Sequence, residues 1–120
     1  MSFMGLIPQI SIPPIEPRGL DDPIFAERFV DRLKARLLDM QRELDENEQL
    51  EVVVFLPSGK AIDVESVGYE NPALVTLHGL EQDSGRECTL LVHQSSLQIL
   101  VAIDKIPLGQ PRRVITFRTR

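Results

Sequence analysis

The side chains that could serve as soft metal ligands or as strong nucleophiles are His78, His93 and Cys88. A closed zinc site needs four donors, so all three would have to join a carboxylate, and no two stand at the short spacing of a ligand pair. Cys88 and His93 are five residues apart, which on one continuous strand places them on opposite faces and prevents a nucleophile–base pair without a bend. Cys88 therefore reads as a small apolar filler. Gly59, Gly68, Gly79 and Gly85 are isolated and read as turn glycines, so no Gly-rich phosphate loop is formed. The expectation is a non-enzyme with no metal site and no cofactor.

Tyr69 and Phe55 could stack nucleobases, but no basic residue flanks either, and packing in a core or a turn is the better reading. Net charge is −5 and unevenly spread: Pro107 to Arg120 carries Arg112, Arg113, Arg118 and Arg120 with no acid, which leaves −9 for the remainder. An acidic body repels nucleic acid, because phosphate neutralisation by Lys and Arg supplies most non-specific affinity. The arginine-bearing segment is the one candidate for such contact.

The elements that would position these residues follow from pattern. At 120 residues, 42% apolar and 26% charged, the chain has the size and composition of one folded domain. One cysteine excludes an intrachain disulfide, and the cytoplasm is the expected compartment. Residues 1–21 carry Pro8, Pro13, Pro14 and Pro17 among Ile7, Ile10, Ile12 and Ile15, and read as an extended arm that packs on its own body or on a neighbour rather than as a targeting segment. No apolar run approaches the roughly 20 residues of a membrane span.

Asp21 or Asp22 before Pro23 predicts a helix start, with the carboxylate accepting free backbone N–H groups. Val30, Leu33, Leu37, Met40 and Leu44 follow at spacings of three and four, with Phe25, Phe29 and Leu38 widening the stripe, which predicts a helix of about 22 residues docked on its own sheet. From Leu50 the period changes to that of strands: 50–56, 61–67, 73–80, 87–93 and 97–103, separated by turns at Pro57-Ser58-Gly59, Glu70-Asn71-Pro72, 81–86 and Gln94-Ser95-Ser96. The predicted class is α+β, mainly β: a leading amphipathic helix, then a five-stranded, strongly bent antiparallel sheet curling into a small barrel. Residues 112–118 alternate enough for a further strand, so 107–120 reads as an added edge strand, a basic tail touching RNA, or an arm laid on an acidic neighbour.

The run Val54-Phe55-Leu56-Pro57-Ser58-Gly59-Lys60-Ala61-Ile62 resembles the first motif of the Sm-like fold of LSm proteins and bacterial Hfq. Residues 91–101, Leu-Val-His-Gln-Ser-Ser-Leu-Gln-Ile-Leu-Val, resemble the second motif of Hfq, and the resemblance spans about residues 22–106. It implies a homo-oligomeric, Sm-like binding or scaffold protein and puts His93, Gln94 and Ser95 at a turn near the central pore of a ring. There the imidazole could bond a base edge or a neighbouring subunit, or satisfy a turn carbonyl, and the last reading is preferred. Val92 stands where Hfq has its RNA-contacting lysine, so RNA is a candidate ligand that the charge does not favour. The SspB adaptor has a related helix-led arrangement, which implies two alternatives: a dimeric peptide- or protein-binding adaptor, or a structural subunit of a larger complex.

Overall fold

Alternation of apolar and polar residues builds most of this molecule, and the strands it produces are few and short. The computed structural model describes residues 22–118: α1 (Phe25–Arg42), β1 (Glu48–Phe55), β2 (Ala61–Glu70), β3 (Leu74–Glu81), β4 (Glu87–His93), a 3-10 turn at Gln94–Ser96, β5 (Ile99–Lys105) and β6 (Thr116–Phe117). The expected arm at 1–21 and Arg120 lie outside the described residues. No helix among the described residues is long and apolar enough to cross a membrane.

The sheet order is β4-β3-β2-β1-β5, with antiparallel neighbours throughout, and β6 joins β2 in parallel off that path. The sheet thus has six strands rather than the expected five, and it is open, since β4 and β5 end it on opposite sides. β2 changes partner along its length. Its first residues pair with β1 (Val53↔Asp63, Phe55↔Ala61), a bulge falls between Val64 and Ser66, and beyond it Ser66 and Val67 pair with Thr116 and Phe117. The bulge bends β2 away from β1, and the C-terminal segment fills the space that opens.

The core lies between α1 and the sheet. Ala26, Val30 and Leu37 meet Leu50, Val52 and Val54 of β1, Ile62, Val64 and Val67 of β2, and Val75 and Leu77 of β3. β1 and β3 supply alternate residues to this face, as period two demands, and in β2 the bulge shifts the alternation, so that Val67 follows Val64 at a spacing of three. Val64 and Val75 have no exposed surface and Leu77 retains 1%; truncating Leu77 to alanine costs about 2–5 kcal/mol.

Three expectations need correction. The helix covers 18 residues, beginning at Phe25 and ending at Arg42, so Leu44 lies beyond it. Asp22 does not cap its first turn; its carboxylate accepts from Ile24 N at 3.0 Å, one step too early. The first-turn N–H groups bond instead to the β2–β3 turn: Ala26 N to Pro72 O at 2.6 Å and Glu27 N to Asn71 Oδ1 at 3.1 Å. Finally, Gly68 and Gly79 sit inside β2 and β3 and are not turn glycines, whereas Gly59 and Gly85 adopt φ of +94° and +72° in turns. Gly79 lies opposite Val64 beside the bulge, where a Cβ would run into the Asp63 carbonyl.

Candidate functional site

β4 carries His93 to its last position, opposite Leu74, and the chain turns there through Gln94–Ser96. The imidazole Nδ1 accepts from Ser95 N at 3.2 Å and lies 2.8 Å from Ser95 Oγ. It therefore caps the 3-10 turn by taking an N–H. Gln94 contributes its backbone N–H to Ala73 O at 2.9 Å, tying this turn to the β2–β3 turn. Tyr69 on β2 packs against the edge of the core and, with Glu27 and Asn71, lines a small polar hollow on the far side of that same turn. His93 borders a second, more apolar hollow with Pro72 and Leu74. The structure brings His93, Gln94, Ser95 and Tyr69 to one end of the sheet, on two flanks of a turn, without facing them into a shared cavity.

Across β3 and β4, His78 Nδ1 lies 3.1 Å from Thr89 Oγ1 and His78 Nε2 lies 3.6 Å from the Glu87 carboxylate. Hydroxyl, imidazole and carboxylate follow in the order that nucleophilic catalysis uses. Glu87 is 75% exposed, however, so water competes for every contact on this open sheet face and nothing there excludes it from a bound substrate. Cys88, on the opposite side of β4, is half-buried against the core. Burial, reinforced by the nearby Glu81 carboxylate, pushes its thiol upward and leaves it a poor nucleophile at neutral pH. No group of three or more His, Cys, Asp or Glu that could hold a metal occurs among the described residues.

Two of the tail arginines are occupied by the chain's own atoms. Arg112 donates from Nε to Glu48 O at 2.9 Å and from a terminal nitrogen to Asp45 O at 2.7 Å. Arg113 donates its backbone N–H to Gln49 Oε1 at 2.8 Å and pairs with Asp63 at 3.3 Å. Arg118 donates its backbone N–H to Val67 O, extending the β6 contact. Of the three readings for this segment, an added strand is what Thr116–Phe117 form, although it lies beside β2 and not at a sheet edge. Near the Arg113 pair, burial and the Asp63 and Asp104 charges raise the Glu51 carboxyl above its usual range, with Arg113 opposing them.

The seam between α1 and this segment holds a groove of about 230 Å³. Leu37, Leu38 and Leu50 form one wall and Val114, Ile115 and Phe117 the other, with Lys34 and Gln41 at the rim. Lys34 Nζ stands 5.9 Å from the Phe117 ring centroid, within cation–π range. Sequence reasoning missed this groove because half of it belongs to residues read as a tail. The exposed Leu38, widening the helical stripe beyond what one sheet can cover, was the signal available. The chain matches no protein-family model, no curated protein and no solved structure.

Proposed function

We propose that this chain is a non-enzymatic, self-assembling binding or scaffold module of Sm-like type. The observation that carries this reading is the placement of β4 and β5. Only a three-residue 3-10 turn and two further residues separate them in sequence, yet they occupy opposite ends of the sheet and each has one strand neighbour among the described residues. A strand edge left unpaired is a template for another strand. Two different edges on one chain favour head-to-tail pairing, which closes into a ring when the rotation allows. Leu91 on β4 is 62% exposed and Leu100 on β5 is 51% exposed, which supplies apolar side chains where such pairing would cover them.

The ligand class this favours is protein before RNA, because Arg112 and Arg113 are held against Glu48, Asp45 and Asp63 of the chain itself and the body is acidic. The same free edges support a second reading, a dimeric adaptor that takes an extended peptide as an added strand.

Light scattering at low and high salt tests the proposal. A salt-resistant assembly larger than a dimer is the expected result, and single Leu91→Lys and Leu100→Lys changes should each lower its mass. A dimer would transfer support to the adaptor, and a monomer at all concentrations would overturn both.

A further inference from the structure

The turn that joins β4 to β5 is closed by an atom that takes up protons. His93 Nδ1 accepts the Ser95 backbone N–H at 3.2 Å and lies 2.8 Å from the Ser95 hydroxyl. Acceptance there requires the ring proton to sit on Nε2, so the contact is open only to the neutral imidazole. Protonation puts a hydrogen on Nδ1 and sets two donors face to face across the same 3.2 Å. The hydroxyl can turn to accept the new hydrogen, but the Ser95 N–H is left without its partner. Histidine changes charge between about pH 5 and 8, a range in which asparagine or serine in the same capping role would not.

The surroundings keep this change local. His93 is exposed at the last position of β4, so a proton reaches it without any opening of the fold. Its partner across the ladder, Leu74, and its neighbour on the same face, Leu91, are apolar, and residues 94–98 are uncharged. Glu70 of β2 is the charged group among the described residues that borders the same hollow. The 3-10 turn has three residues, so one N–H contact is a large part of what orders it. Residues 94–98 are also the whole of the connection that carries the chain from β4 at one end of the sheet to β5 at the other.

We propose that His93 is a proton-operated clasp: neutral, it holds the β4–β5 turn closed, and protonated, it lets the turn open and frees the placement of the β4 and β5 edges relative to each other. A contact made only by the neutral ring is fully present above the His93 titration and lost as pH falls through it. The clasp itself stands on the hydrogen bond. Its consequence, an assembly held at neutral pH and loosened by acid, rests on the edge pairing proposed above.

The test follows the full chain by NMR from about pH 8 to about pH 5, with light scattering on the same samples. The imidazole nitrogen signals of His93 are expected to show the Nε2–H tautomer at the alkaline end. Ser95 amide exchange, scaled to the rate of an unstructured chain at the same pH, should quicken about fivefold as His93 titrates. That response should vanish in His93→Asn, which caps without titrating, and persist in His78→Gln, Glu70→Gln and Glu51→Gln, which remove the other imidazole and two carboxyl groups. An Nδ1–H tautomer, Ser95 protection indifferent to the His93 titration, or a response that survives in His93→Asn overturns the clasp. Should His93→Asn not fold, the tautomer and the match between the Ser95 and His93 titrations in the native chain decide alone. Assembly mass is expected to fall over the same window in the native chain and not in His93→Asn; an equal fall in both overturns the link from clasp to edges. A monomer throughout that still shows the Ser95 response would support the clasp and overturn the edge-pairing reading.

Discussion

Asn71 and Glu27, 44 residues apart, bind each other twice: Asn71 Oδ1 accepts the Glu27 backbone N–H at 3.1 Å, and Asn71 Nδ2 donates to Glu27 Oε1 at 3.1 Å. The exchange resembles a capping box, with the Asn71 side-chain amide donating where the capping residue's backbone N–H would, and with a distant turn in place of the residue before the helix. It fixes where α1 begins relative to β2 and β3, the two strands joined by that turn.

Asn71→Ala is therefore expected to lower stability by about 1 kcal/mol, the usual cost of losing an N-cap. Asn71→Asp should be no better near neutral pH, because it replaces the donor with a charge facing Glu27. Thermal melts of the two variants check this.

Arg113 and Asp63 form the partly buried anchor of the C-terminal segment, with side chains 32% and 20% exposed. Arg113→Met should cost about 1–3 kcal/mol through the stranded carboxylate, whereas Arg118→Met, whose contact to β2 is through the backbone, should stay within about 0.5 kcal/mol. Urea denaturation of both, with Asp63→Asn/Arg113→Met expected to recover part of the loss, provides the measurement.

Glu51 sits where burial and two neighbouring carboxylates disfavour its charge. Its raised folded-state value means that the folded chain holds the proton more tightly than the unfolded one. The resulting contribution to stability is fully present below the ordinary carboxylate value of 4.5 and lost as pH rises through the raised value. Glu51→Gln should thus stabilise the protein at neutral pH, and the gain should vanish on acidification through that window in a series of melts.

Gly79 and Gly68 should respond differently to alanine. At Gly79 the added Cβ meets the backbone of Asp63 and Val64, which cannot yield without moving β2. At Gly68 it meets the Thr76 hydroxyl at 2.7 Å, a side-chain atom that can rotate. Gly79→Ala is expected to cost about 3 kcal/mol and Gly68→Ala about 1 kcal/mol, as read by chemical denaturation.

Much of the fold was legible because it is local. The Glu87–His93 strand is predicted to the residue, since its ends are marked by the Ser84-Gly85 turn and by Gln94-Ser95-Ser96. The stripe through Val30 and Leu37 likewise identifies the buried face of α1. What stayed hidden depends on residues far apart in sequence. Nothing around Asn71 announces that it will cap a helix 44 residues away, and nothing in β2 announces that its far end will drop β1 and accept Thr116. Strand alternation in 61–67 stops at Gly68, which made β2 look shorter than its ten residues; close approach of Thr76 explains that glycine, and the sequence alone does not record it.

The β6 contact also has a meaning in time. During synthesis α1 and β1 through β5 leave the ribosome before Thr116, while the flank of β2 that Thr116 and Phe117 cover lies about fifty residues upstream. Sheet and helix can come together before this piece arrives, but Leu37, Leu50 and Val67 keep a water-facing side until it does. A nascent chain that has emerged only as far as Lys105 would hold an almost finished sheet with an unsealed core, the form most exposed to chaperones and to mispairing with another unfinished copy.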